Sequence, residues 1–303
     1  MESGKGKLVN FVNEKKLELI GMLFEDEATS KNTIVIHIHG NYGNFYNNKF
    51  IWTMSKIYVD YGISFLSFNL SAHDGLAEGY RDGELDYIGG GVADYSESIL
   101  DIQAAVAYVQ RLGYKEIYLQ GHSLGCDKII DYILTNDVPG IKVILLSPVD
   151  SYAVQSRWLE LRRKENVETQ IKRLSCRRDQ GKDILEWLDL SEYGAEGLNS
   201  DWIYKIPVTR NALLSILTSS AFKYLNVMCG EDFLIKNDTF VFLGLRDGLQ
   251  MISQKEMRGF LEKHFDNCFF EDTLNSDHDI IGVEDKLVKR ICGWIANNKL
   301  NPD

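Results

Sequence analysis

"EIYLQGHSLGCDKIIDYIL", residues 116–134, decides the reading of this chain. An apolar run reaches Gly121-His122-Ser123-Leu124-Gly125, and apolar residues at helical spacing follow it. A serine held between two glycines, where a buried strand gives way to a helix, has two readings. It is a helix N-cap, the ordinary task of serine at that place. Or it is the nucleophile of a Gly-x-Ser-x-Gly elbow, whose tight turn exposes the hydroxyl while the helix N-terminus aims N–H groups at it. In 303 residues with 25 glycines the pattern alone does not choose. The surrounding chain has to.

Working outward, "NTIVIHIHG" (32–40), "ISFLSFNL" (63–70) and "KVILLSPV" (142–149) are near-continuous apolar strands like the one before the elbow. Between them, "NNKFIWTMSKIYVDYG" (47–62) and "DYSESILDIQAAVAYVQRLGY" (94–114) repeat apolar residues at helical intervals. "KLVNFVNEKKLELIGMLFED" (7–26) reads as a hairpin turning near Asn13. Apolar strands alternating with helices predict a mostly parallel, doubly wound α/β sheet covered on both faces. From 151 to 220 the alternation stops and only helical patterns such as "DILEWLDL" (183–190) remain. It resumes with a strand at "YLNVMC" (224–229), helical material over about 238–265, a strand at "NCFFEDTL" (267–274) and a last helix over 284–298. The expected organisation is an α/β core from 1–150 and 221–303, with 151–220 inserted as a helical cap.

Composition narrows the function. A net charge of -11 argues against a nucleic-acid partner, because such binding rests on neutralising phosphates. No stretch approaches 18 apolar residues and the N-terminus has no apolar leader, so no membrane partner and a cytoplasmic location are expected. Cys126, Cys176, Cys229, Cys268 and Cys292 are scattered without a CxxC pair, which reads as reduced thiols and no zinc site. The histidines have no metal-ligand spacing, so no metal is expected and no cofactor is needed. A homodimer is compatible with the sequence, which carries no signal for oligomeric state.

A serine hydroxyl needs a base, and the base a third group to orient it. His278, in "LNSDHDIIG", follows the last expected strand and precedes the last helix, the edge where a parallel sheet builds its site. His37 sits inside an apolar run and reads as a core histidine, and His264 ends a helix. The acid is sought on the turn after "YLNVMC", where a strand and a glycine lead to Glu231 and Asp232. Asp232 is preferred for its offset, with Glu231 and then Asp150 as alternatives. Donors for an oxyanion are expected from the N–H of Leu124 and from "HIHGNYGNFYNN", where Asn41 is the choice and Tyr42 stands next to it. His39, Tyr42, His73 and His122 are candidate substrate contacts. The loop "SAHDGLAEGYRDGELDYIGGG" (71–91) has six glycines and reads as a mobile rim of the site.

With those residues in place, the chain resembles the serine esterases of the α/β-hydrolase superfamily over about residues 15–299. "HIHGNYGNFY", "SFNLSAHDG", "YLQGHSLGCDK", "VMCGED" and "SDHDIIG" match its oxyanion loop, following strand, elbow, acid turn and histidine loop. "HGNYGNFYNN" and "LSPVD" resemble a bacterial branch related to fungal siderophore esterases. The resemblance implies acylation of Ser123 by a small-molecule ester, thioester or lactone, then deacylation by water activated by His278. Acyl transfer or peptidase activity with the same triad, and a non-catalytic binding protein on the same fold, are the other readings.

Overall fold

The structure, a computed structural model, describes residues 6–26, 32–179, 208–227 and 232–300. Strands β1 (Gly6–Val12) and β2 (Glu18–Phe24) form the opening antiparallel hairpin, its turn closed by Leu17 N–H donating to Asn13 Oδ1. Then come β3 (Thr33–Ile38) and β4 (Ser64–Phe68), followed by β5 (Ala77–Arg81) and β6 (Glu84–Ile88), which pair only with each other. The chain continues with β7 (Glu116–His122), β8 (Lys142–Leu146), β9 (Thr239–Phe242) and β10 (Cys268–Glu271). The main sheet has eight strands in the order β1-β2-β4-β3-β7-β8-β9-β10. From β4 to β10 every pairing is parallel, and β2 runs against β4.

The side-chain alternation of these strands explains why both faces are covered. Ile34, Ile36, Leu119, Val143, Leu145 and Val241 point into one apolar cluster, beneath α2 (Glu97–Arg111), α3 (Leu124–Asn136) and α8 (Gln254–His264). Their neighbours Val35, Tyr118, Ile144, Leu146, Phe240 and Phe242 point into a second, beneath α1 (Lys49–Asp60) and α9 (Glu284–Leu300). Each such side chain contributes about 1.5–3 kcal/mol by leaving water. Polar side chains on the second face pair internally: Tyr58 donates to Gln120 Oε1 at 2.6 Å, and Gln120 Nε2 donates to His37 Nδ1 at 3.0 Å. Burial, with a smaller repulsion from His122, pushes His37 down to about 3, so it is a neutral core histidine.

Between β8 and β9 lie α4 (Ser151–Arg162), α5 (Val167–Asp179), α6 (Arg210–Thr218) and the short α7 (Ala221–Tyr224). They share an apolar cluster of their own, including Trp158, Leu159, Leu174, Leu213 and Phe222. Asp150 pins both ends of this excursion. Its Oδ1 caps α4 by accepting from Ala153 N–H at 2.8 Å, and its Oδ2 accepts from Val227 N–H at 2.9 Å. That makes Asp150 a structural carboxylate. The segment "DILEWLDL" lies outside the described residues.

Two expectations change. Tyr224 closes a helix instead of opening a strand, and the strand beside β8 is Thr239–Phe242, inside the stretch expected to be helical. Helix α8 begins only at Gln254, where Ser253 and Glu256 form a reciprocal capping box. Within the rim loop, β5 and β6 form a hairpin, with Asp82 N–H donating to Lys16 O and Gly89 N–H donating to Ser71 O.

Candidate active site

Ser123 stands between β7 and α3, at the N-cap of the helix, with φ 55° and ψ -127°. A non-glycine residue held there costs on the order of 1–3 kcal/mol, and such strain persists only where the surroundings enforce it. They do. Ser123 N–H donates to Leu146 O at 3.0 Å and its carbonyl accepts from Cys126 N–H at 2.9 Å. The side chain makes no capping hydrogen bond to α3, so the N-cap reading does not account for the serine. A methyl group on Gly121 would stand 2.6 Å from the Gly125 carbonyl, and one on Gly125 would stand 2.2 Å from Ile38 O. Only glycine lets strand, turn and helix approach so closely.

His278 lies in the loop after β10, and its ring meets a carboxylate the sequence reading did not choose. Nδ1 lies 2.9 Å from Asp247 Oδ2, and a ring that donates there from Nδ1 has Nε2 as its remaining nitrogen to face a proton donor. Asp247 is held in turn: its Oδ1 accepts from Leu249 N–H at 3.0 Å, and its side chain is 1% exposed. Gly244 makes the approach possible, since a methyl there would stand 2.7 Å from Ser276 O. Arg246 N–H donates to that same Ser276 carbonyl at 2.8 Å, lacing the acid turn to the histidine loop.

Asp232 is elsewhere. Its side chain is 94% exposed and pairs with Lys263 at 3.3 Å, far too solvated to orient a buried imidazole. Glu231 lies outside the described residues. The reason for the correction is the displaced strand. "TFVFLGLRD" offers the same strand, glycine and acid that were sought in "VMCGED", but on the strand that joins the sheet.

His122 links the two halves of the site. Its Nε2 donates to the backbone carbonyl of His278 at 2.8 Å, and the two rings lie 5.0 Å apart. Burial, with a smaller repulsion from His278, pushes His122 down to about 3, so the ring stays neutral. It is 5% exposed and committed to the loop, which removes it from the candidate substrate contacts. His39 is removed for the same reason. Nδ1 donates to Gly40 O at 2.9 Å and Nε2 accepts from Leu70 N–H at 3.1 Å, with the side chain 1% exposed. Burial foremost, with Lys128 nearby, holds it well below its usual range.

The loop after β3 lies against the elbow through Gly40. A methyl on Gly40 would stand 2.9 Å from His122 O, 3.0 Å from Ser123 Cβ and 3.6 Å from Leu124 N. Asn41 is exposed one residue further on, and Tyr42 follows in the left-handed region at φ 53°, its ring over Gly90. His73 is 9% exposed and donates from Nδ1 to Asp74 at 2.7 Å. Among the described residues no group of three His, Cys, Asp or Glu side chains is placed to hold a metal, and no helix is long and apolar enough to cross a membrane.

No protein-family model matches the chain, and no curated protein is significantly similar to it in sequence. Solved structures are similar in fold. The α/β hydrolase GrgF from Penicillium aligns over 97% of this chain and 98% of its own, with a TM-score of 0.64 at 12% identity. Esterase Pf2001 of Pyrococcus furiosus covers 97% and 91%, with a TM-score of 0.59 at 17% identity. The siderophore hydrolase EstB from Aspergillus fumigatus covers 98% of each, with a TM-score of 0.59 at 13% identity. Together with the strand order, these likenesses identify the α/β-hydrolase fold.

Proposed function

We propose that the protein is a serine hydrolase that cleaves a carboxylic ester, thioester or lactone of a small molecule, with Ser123 as nucleophile, His278 as base and Asp247 as the orienting acid. The observation that supports the reading is the hydrogen bond between His278 Nδ1 and the buried Asp247 carboxylate, on a loop whose His278 carbonyl meets His122, the residue before the strained serine turn. Fold likeness to an esterase and a siderophore hydrolase supports ester cleavage in general and leaves the substrate to experiment.

In the proposed cycle His278 Nε2 takes the Ser123 proton as the oxygen attacks the acyl carbon. The negative charge forming on the carbonyl oxygen is met by N–H donors of Leu124 and Asn41. Asp247 stabilises the imidazolium without itself taking the proton. His278 then protonates the departing alcohol or thiol, and a water activated by the same nitrogen releases the acid. Residues 151–220 serve as the cap that shapes the acyl and alcohol pockets. The support is that α4 leaves directly from the carboxyl edge beside the elbow and packs on its own apolar cluster.

Intact mass after incubation with a fluorophosphonate tests this. One adduct on the wild type and none on Ser123→Ala or His278→Ala is expected, followed by turnover of p-nitrophenyl esters. A wild type that neither labels nor turns over any ester or thioester in a chain-length and siderophore-ester panel refutes the reading.

A further inference from the structure

Asp74 belongs to no part of the reaction above, yet it gathers more of the loop after β3 than any carboxylate needs for its own solvation. Asn44 Nδ2 donates to Oδ1 at 2.6 Å, while the Tyr46 hydroxyl and His73 Nδ1 both donate to Oδ2, the latter at 2.7 Å. Its own N–H donates to Gly43 O at 3.3 Å, and Gly90 N–H donates to its carbonyl at 2.9 Å. The residue itself stands at φ 53°, in the left-handed region that aspartate tolerates better than most side chains.

The partners pass the constraint on. Asn44 is 2% exposed, and its Oδ1 accepts from the N–H groups of Tyr46 and Asn47 at 3.1 and 2.7 Å. Phe45 N–H donates to Asn69 Oδ1 at 3.0 Å. The upstream end of the same loop is fixed by His39 on Gly40 O and by the contact of Gly40 with the elbow. Asn41, an exposed residue, thus lies between two anchored ends, one of them built on Asp74.

From this geometry we infer that Asp74 is a positioning residue for the oxyanion loop, setting the backbone donor at Asn41 through Asn44, Tyr46 and His73. The inference rests on the hydrolase reading of the site. Asp74 touches no reacting atom. It acts because an oxyanion donor is worth most when its position is fixed before charge develops.

The test compares an oxoester with the matching thionoester, in wild type, Asp74→Ala and Tyr46→Phe, each normalised to serines titrated to completion with fluorophosphonate. Sulfur is larger and a weaker acceptor than oxygen, so a fitted pair of donors favours the oxoester, and a loosened pair favours it less. Asp74→Ala is expected to lower kcat for the oxoester about 10–100-fold with KM nearly constant, and to lower the oxo-to-thiono preference at least about threefold. Tyr46→Phe removes one exposed donor and is expected to move both quantities the same way by roughly two- to fivefold, whether or not the alanine variant folds. A variant that is only less stable loses active sites equally for both substrates and leaves the preference unchanged. An unchanged preference in Tyr46→Phe, or in folded Asp74→Ala, overturns the assignment while the hydrolase reading stands. A wild type inert toward both esters overturns that reading and the assignment with it.

Discussion

Replacing Asp247 by asparagine isolates what the buried carboxylate does. Its two oxygens accept one hydrogen bond each, from His278 Nδ1 and Leu249 N–H, in a pocket that leaves the side chain 1% exposed. Asparagine has the same shape but offers one acceptor and one donor. If its amide nitrogen faces His278, Nδ1 must accept and the ring proton moves to Nε2, which then cannot take the Ser123 proton. If the amide turns over, it confronts Leu249 N–H donor to donor, at about 1–3 kcal/mol for a buried unpaired group. In either orientation the imidazolium loses its counter-charge. Asp247→Asn is therefore expected to reduce kcat about 10³–10⁴-fold, a loss of roughly 4–5.5 kcal/mol of transition-state stabilisation. KM should change little, because no substrate contact is removed. Asp232→Asn in the same p-nitrophenyl ester assay should stay within about twofold, its carboxylate being a solvated partner of Lys263. Retention of more than a tenth of kcat by Asp247→Asn, or an equal loss in Asp232→Asn, refutes the assignment.

The elbow and its supports give further expectations. Ser123→Gly abolishes turnover but relieves the φ 55° strain. Calorimetry should show a Tm higher by about 2–4 °C, the relief of roughly 1–3 kcal/mol outweighing about 0.5–1 kcal/mol for glycine's added freedom when unfolded. A lower Tm would mean that the turn is not strained. Gly244→Ala places a methyl 2.7 Å from Ser276 O and must part the acid turn from the histidine loop. Its kcat should fall by about 10²-fold while the adduct with fluorophosphonate still forms slowly. Full activity would place the two loops further apart than described. Asp127 is fully buried, and burial foremost holds its carboxyl well above the usual range, against smaller opposing pulls from its own backbone N–H and from Lys128. The native state keeps a proton that the unfolded chain loses near 3.8, so stability falls as pH rises, by about 1.4 kcal/mol per unit until the native group itself ionises. Asp127→Asn removes that slope, and its Tm advantage over wild type should grow between pH 5 and 8. A constant or shrinking difference sinks the argument.

The sequence carried the sheet, the elbow and the histidine loop because each is written in a local signal, a continuous apolar run or a glycine-marked turn. β7, β8 and α3 are legible from "EIYLQGHSLGCDKIIDYIL" and "KVILLSPV" alone. The acid was not. β9 is four residues long and lies between polar stretches, too short for periodicity to separate from helix, whereas "YLNVMC" has the apolar density of a strand. The carboxylate that meets His278 does follow a glycine past a strand, but that strand is β9 and not "YLNVMC". His39 and His122 were misjudged for a different reason. Nothing local tells a histidine that lines a site from one that braces its backbone, since only long-range partners such as Leu70 N–H and the His278 carbonyl make that distinction.

The elbow stands on a central strand, while the proposed base and acid come from loops beyond the last two strands, and His122 meets a carbonyl 156 positions further along. During synthesis at 5–20 residues per second, that distance is a wait on the order of ten seconds. For that interval the proposed nucleophile has no His278 imidazole to activate it, and β8 lacks the strand β9 that pairs with its edge in the finished sheet. The chain thus passes through synthesis chemically silent but adhesive. An unpaired apolar edge is a site for association, so the order of synthesis leaves the edge of β8 open to aggregation until residue 242 has emerged.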